Sequence, residues 1–321
     1  MIFAELPLDE AEGAVLAYAT TAGTLVLRKG TVLTGEHLAA LRQAGMASVL
    51  AARFEPGDMG EDDAAQLIGA ALASDTIQTG AATTGRINLF ARASGVFCVD
   101  AARIDAVNAH DPRISLATIR NHMRVEPGQM VATVKIIPFA VPGQLAGEVQ
   151  ALLDGHRIMD VRAFRPLSIG LIQSRLPSIR ETVLDKTREL MEKRIARNGG
   201  HLVAERRVAH ETEALAGAIA ELGVACDMLV IFSASAVADA ADIVPRSIQL
   251  SGGEILRIGM PVDPGNLLVL GRHGDKYIIA APGSARSARE NSLDWVLDRL
   301  MTGMELTASD LSRMGVGGLL L

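Results

Sequence analysis

Two styles of hydrophobic patterning divide the chain. Up to about residue 56 the apolar positions predict helix, strand, helix, strand. Residues 9–16 have helical composition, and the apolar run 24–27 ends in the turn Arg28-Lys29-Gly30. Thr34 can cap a helix through Ala44, because its side-chain oxygen accepts an orphan amide; Gly45 stops that helix and residues 47–51 follow as a strand. Residues 58–72 read as an amphipathic helix whose acidic entry suits the positive end of the helix dipole. Between residues 83 and 138 short β elements take over. Strands are predicted at 96–99 and 131–137, with a helix over 101–107 between them and a turn at Glu126-Pro127-Gly128-Gln129. A helix over 144–153 leads to a domain boundary near residue 160.

The second half alternates more regularly. A continuous apolar strand at 167–172 precedes Ser178-Ile179-Arg180-Glu181, a capping box in which each of the two side chains can satisfy the other's backbone amide. It opens a helix to Asn198 that carries Leu184, Met191 and Ile195 on one face and ends at Gly199-Gly200. A strand at 201–208, a helix at 211–222, a strand at 227–232 and a helix at 242–250 follow. Strands near 254–260, 267–271 and 276–281 and a helix over 287–301, with Trp295 in its core face, complete the pattern. Such alternation predicts βαβ units and a mostly parallel sheet. The fold class is α/β: a smaller mixed α+β domain over 1–160, divisible into 1–80 and 81–143, then an α/β domain over 161–305 and a C-terminal tail over 306–321.

Composition narrows the function classes. Hydrophobic residues make up 49% and charged residues 21% of the 321, which is globular rather than disordered. No apolar run approaches the roughly 18–20 residues needed to cross a bilayer. Residues 1–9 lack the basic-then-apolar pattern of a secretory signal, so a cytoplasmic protein with no membrane partner is expected. Cys98 and Cys226 are too few for a disulfide framework or a four-ligand metal site and read as small buried hydrophobes. The net charge of −6 is uneven: residues 1–150 hold 11 Lys/Arg against 16 Asp/Glu, the remainder 20 against 21. An acidic first half and only ten aromatics argue against a nucleic-acid partner. A small anionic ligand remains compatible, because one pocket can be positive while the sum is negative.

Ligands of parallel sheets collect outside the carboxyl ends of the strands, which directs attention to four loops. Gln173-Ser174-Arg175 begins the first, ahead of a helix. Ser233-Ala234-Ser235 opens the second, which runs through Asp239 to Asp242. The third contains Pro264-Gly265-Asn266, and the fourth is Pro282-Gly283-Ser284-Ala285-Arg286. Small residues let backbone amides approach a ligand closely, and amides at a helix start favour an anion.

In this order of elements, residues 165–305 resemble the molybdopterin-binding domain of molybdopterin adenylyltransferases and molybdenumtransferases. The segment Thr182-Val183-Leu184-Asp185-Lys186-Thr187 is similar to that family's Asp-bearing helix, and residues 233–242 to its Gly-Gly loop with following acidic residues. Asp263-Pro264-Gly265-Asn266 and Ala281-Pro282-Gly283-Ser284 resemble its two Pro-Gly turns. The chain departs from the pattern: Ser233-Ala234 replaces paired glycines, the spacing to Asp242 is one residue longer, and the prolines of both turns are missing. Each added Cβ narrows the space for a pterin or phosphate. The first 140 residues resemble the leading region of the molybdenumtransferases. The whole chain is similar to the N-terminal half of bacterial proteins in which such a module is fused to a molybdopterin nucleotidyltransferase.

The resemblance implies molybdopterin, or its nucleotide form, as the ligand, held by Gln173, Ser174, Arg175, Lys186, Ser233, Ala234, Ser235, Asp239, Pro264, Gly265, Asn266, Pro282, Gly283 and Ser284. It implies catalytic roles for Asp185 and Asp242 and a Mg²⁺ ion on Asp239 and Asp242, with Asp242 equally placed to cap the next helix. The alternatives are a Mg-dependent nucleotidyl- or molybdenum-transferase, a nucleotide pyrophosphatase of the same domain, or an interaction module without a working pocket. A nucleotidyltransferase or a molybdoenzyme is the implied protein partner, and a homo-oligomer the expected assembly.

Overall fold

Short alternating segments give the first unit of the computed structural model, which describes residues 1–321, a set of small antiparallel sheets. This unit is Met1–Arg162 and the second is Ala163–Leu321. In chain order the first contains β1 (Ile2–Pro7), β2 (Val15–Leu16), β3 (Thr20–Ala22), β4 (Leu25–Leu27), α1 (Gly35–Gln43), β5 (Ser48–Arg53), β6 (Asp58–Gly60) and α2 (Glu61–Leu72). Then come β7 (Ile77–Thr79), β8 (Arg86–Ala91), β9 (Gly95–Val99), α3 (Ala101–His110), β10 (Ile114–Thr118), β11 (Arg124–Val125), β12 (Met130–Ile136), β13 (Ala140–Pro142), α4 (Gly143–Leu153) and β14 (Met159–Ala163), whose last residue is the first of the second unit. Two cores serve it. Leu6, Leu16, Leu33, Leu41 and Val49 pack in one, and α2, α3 and α4 cover the β10-β12-β8-β7 sheet in the other.

Local signals succeed where the chain satisfies its own backbone. The Thr34 hydroxyl accepts from the His37 amide at the start of α1, and Gly45 follows the helix at φ +82. They fail where partners are distant. Residues 9–16 form no helix, because Gly13 donates to the Leu33 carbonyl, Leu16 donates to Thr31, and β2 pairs with β5. The helix expected from residue 58 begins at Glu61, since Asp58–Gly60 is drawn into a ladder with β13. Strands β1, β7, β8 and β10 stand where no separate element was expected, although the alternating Ile87, Leu89 and Ala91 of β8 are all buried.

The second unit is organised around one six-stranded sheet. Its elements are β15 (Ser168–Arg175), α5 (Glu181–Ala196), β16 (His201–Ala209), α6 (Thr212–Ala225), β17 (Met228–Phe232), α7 (Ile243–Leu250), β18 (Glu254–Ile258), β19 (Val269–His273), β20 (Lys276–Ala281), α8 (Ser292–Met301) and α9 (Ala308–Ser312). The strand order is β16-β15-β17-β20-β19-β18. The first four are mutually parallel, while β19 runs antiparallel to both β20 and β18. Parallel strands buried on both sides read as unbroken apolar runs, and all five residues of β17 are buried. Met228, Val230 and Phe232 pack with Met191 and Ile195 of α5 and with α8. Leu229 and Ile231 face Leu215, Ile219, Val244 and Ile248 of α6 and α7. The residues after 305 are part of this unit's core through Leu306, Leu311 and Met314.

Three sequence expectations are corrected here. Ser178 does not cap α5; Arg180 occupies that position with no side-chain cap, and Glu181 turns to Arg175 and Arg207 instead. The last helix starts at Ser292, because residues 283–286 form a separate 3-10 turn and Asn291 caps α8. Of the cysteines, Cys226 is buried but Cys98 is half-buried. Trp295 is half-buried against the core and donates from its indole to Glu290 at 2.7 Å.

Candidate functional site

Because β15, β16, β17 and β20 are parallel, their carboxyl ends reach one edge of the sheet, and polar side chains from distant sequence positions meet there. Ser174, fully buried at the end of β15, accepts a 2.8 Å hydrogen bond from the Ala234 amide after β17. Its hydroxyl also shares a 3.0 Å hydrogen bond with His210 Nδ1 after β16. Gln173, also fully buried, donates from Nε2 to the Leu184 carbonyl at 2.9 Å and to Glu205 at 2.8 Å. Arg286, from the turn after β20, reaches across all of this. It donates to Thr187 Oγ1 at 2.6 Å, to the Ser233 carbonyl at 3.3 Å and to Gln173 Oε1 at 3.5 Å, and lies 5.2 Å over the Phe232 ring. Three of the four predicted loops therefore converge.

The electrostatics of this rim are uneven. On the α5 side, Arg207 binds Glu205 at 2.6 Å, Glu181 at 2.7 Å and Asp185 at 2.7 Å. Those carboxylates, Glu205 foremost, hold its proton well above the usual arginine range against the cost of burial. Arg286 has the opposite setting. It takes part in no ion pair, and burial lowers its pKa from the ordinary value. Among neutral oxygens and an aromatic face, it is a partly desolvated cation without a counter-charge.

Each candidate from the sequence has a definite place. Gln173 and Ser174 are structural struts of the rim, and Arg175 is exposed and paired with Glu181 at 3.1 Å. Lys186 is exposed on α5. Asp185 is 56% exposed and shares Arg207 with Glu181 and Glu205. Ser233 and Ala234 are half-buried beside Ser174 and Arg286, with Ser235 exposed next to them. Asp239 accepts from the Ala241 amide at 2.8 Å; Asp242 accepts from the Ile243 amide at 2.7 Å and the Ala238 amide at 3.0 Å. Both carboxylates thus tie down their own loop, Asp242 as the cap of α7. No group of three or more His, Cys, Asp or Glu side chains is arranged to hold a metal ion.

The third loop goes elsewhere. A Cβ on Gly265 would lie 2.1 Å from Ser292 Oγ, so this glycine permits packing against the start of α8 rather than approach of a ligand. The Pro264 and Gly265 carbonyls accept from Ser292, and Asp263 exchanges backbone hydrogen bonds with Gly318 and Leu320. Asn266 is exposed, its carbonyl bonded by the Met260 amide. In the fourth loop Pro282 is buried, a Cβ on Gly283 would meet nothing within 4 Å, and the Ser284 hydroxyl oxygen is shielded without a partner.

Sequence reasoning missed His210, Arg207 and the role of Arg286. Arg286 stood within the fourth loop, but nothing in the chain order shows that no carboxylate would face it. His210 follows a strand whose loop held no small-residue signal.

A family model described as a domain of unknown function (DUF8806) matches residues 5–53. No curated protein matches the chain in sequence. Among solved structures, the chain is similar to a molybdopterin biosynthesis MoeA protein from Pyrococcus horikosii, with 13% identity, 94% of this chain and 75% of that one covered, and a TM-score of 0.34. It is also similar to a molybdenum cofactor biosynthesis protein B, with 14% identity, 44% and 96% covered and a TM-score of 0.32. A molybdopterin biosynthesis enzyme MoaB from Thermus thermophilus matches with 18% identity, 43% and 98% covered and a TM-score of 0.31. At that level of superposition these likenesses carry no functional weight, and the chain's own residues must supply it.

Proposed function

We propose that the second unit is a molybdopterin-binding domain of three-layer α/β type, and that the chain holds molybdopterin or its nucleotide form during molybdenum cofactor assembly or hand-over. One observation carries the reading: the turns after β15, β17 and β20, the segments that resemble the family's motifs, meet around Ser174 and Arg286. The donor chemistry fits such a ligand. Arg286 lacks a counter-ion, the Ser284 hydroxyl lacks a partner, and Gly283 borders open space. Arg286 suits the ligand's phosphate, and the Ser233-Ala234-Ser235 backbone suits the polar edge of a pterin. The similar solved structures bear names from the same cofactor chemistry but do not carry the proposal.

Binding without turnover is favoured over transfer. A transferase needs carboxylates available to a metal or a reacting group. Here Asp185 is bound by Arg207, and Asp239 and Asp242 accept from loop amides. The natural recipient is a nucleotidyltransferase or a molybdoenzyme that takes the cofactor onward.

The test is anaerobic equilibrium titration of the full chain with molybdopterin, followed by incubation with ATP or CTP. Saturable binding with no nucleotide consumed is the expected result. Absence of any affinity removes the proposal, and turnover abolished by Asp185→Asn replaces it with the transferase reading.

A further inference from the structure

We propose that Arg286 is the charge-selecting residue of this rim, gripping two oxygens of a phosphate monoester on the bound ligand. The inference rests on the rim being a ligand site and adds which chemical group is recognised there and by which side chain.

A guanidinium has five N–H donors arranged in forks that match phosphate oxygens. The three hydrogen bonds of Arg286 leave from its two terminal nitrogens, Nη1 to Thr187 and Gln173 and Nη2 to the Ser233 carbonyl. Its Nε donates to nothing. The Nε hydrogen and one of the two Nη2 hydrogens therefore stay uncommitted while the side chain is braced from α5, β15 and the end of β17. The brace consists only of neutral acceptors and the Phe232 ring, so the cation is positioned without being neutralised.

Two other arginines of the same unit are answered by carboxylates, whereas Arg257 rests on neutral oxygens and the buried Arg272 Nε has no hydrogen-bond partner. Arg194 is bound by Asp294 at 3.0 Å, and Arg207 by three carboxylates. Burying a charge with no opposite charge is costly, and an anion arriving from solvent removes that cost. A second unanswered group stands two residues earlier on the same 3-10 turn: the Ser284 hydroxyl oxygen is shielded and bonded to nothing. Phosphate oxygens would accept from the uncommitted Arg286 hydrogens. A dianionic monoester is preferred to a carboxylate because attraction to an uncompensated cation rises with the ligand's charge.

The experiment uses the full chain as wild type, Arg286→Met and Arg286→Lys, titrated with inorganic phosphate against chloride at matched ionic strength. The arginine Nε–H resonance of the wild type that disappears in Arg286→Lys should shift saturably with phosphate. Arg286→Met should melt within about 3 °C of wild type and bind phosphate at least about tenfold more weakly. Arg286→Lys should fall between, keeping the charge but not the fork. Should Arg286→Met fail to fold, the wild-type resonance decides alone. No saturable shift, or equal phosphate affinity in Arg286→Met, overturns the proposal. So does tighter binding in Arg286→Met, which would make the side chain a plug. Phosphate binding that survives while molybdopterin affinity is absent would remove the proposed function but leave Arg286 as an anion site.

Discussion

At the contact between α5 and α8, Arg194 is 4% exposed and fully answered. Asp294 meets its Nε, and the carbonyls of Ala285 and Ser287 take its terminal nitrogens at 2.6 Å each. Arg197 and Asn198 extend that network to Asp294 and Asp298. At the strand-end rim, Arg286 is held by one hydroxyl, one amide oxygen and one carbonyl, with no carboxylate. Both arginines serve the turn after β20. Arg194 fastens its backbone, and Arg286 projects from it. Arg194 is thus a structural rivet and the half-buried Arg286 a charge kept for a ligand, and the counter-ion separates these two.

The contrast can be broken most directly at Asp294. Asp294→Ala strands Arg194 in the interior and should cost about 3–5 kcal/mol, measured by urea denaturation. A loss below about 1 kcal/mol would mean that the two arginines differ less than their partners imply. Gly265→Ala comes next. The added Cβ collides with Ser292 at a backbone φ of +122, and a cost of about 1–3 kcal/mol is expected with ligand affinity of the folded protein unchanged. Full stability with lost affinity would return this loop to the binding site.

Asp242→Ala should cost about 1 kcal/mol through the lost cap of α7, and Asp242→Asn much less. If Asp242→Asn instead abolished function at full stability, the carboxylate would be acting on a ligand. The smallest effect lies at the opposite end of the sheet. There the Ser168 hydroxyl and amide hold the Asp227 carboxyl below its usual pKa. A depressed native pKa contributes stability above the unfolded value of about 3.9, lost as pH falls through the native one. Ser168→Ala should raise the Asp227 pKa in an NMR titration; an unchanged value would assign the shift to other groups.

Much of the second unit was legible in its residues. Runs such as Leu229-Val230-Ile231 between amphipathic helices announce buried parallel strands, and the small-residue turns mark their ends. Leu184, Met191 and Ile195, spaced along one helical face, are all fully buried in α5. The first unit was harder to read. Residues 9–16 look helical, yet their amides are claimed by Thr31 and Leu33, residues that no local pattern connects to them.

Periodicity and capping depend on neighbours within a few positions, so one chain read alone yields helix faces, turn glycines and the α/β alternation. Counter-charges do not obey that range. That Asp185 would be captured by Arg207, that Gly265 would press on Ser292, and that Arg286 would face no carboxylate are consequences of strands assembling side by side. Burial and Coulomb pairing are properties of that assembly, and they divided the charged residues of the rim into those that hold the fold and the one left for an anion.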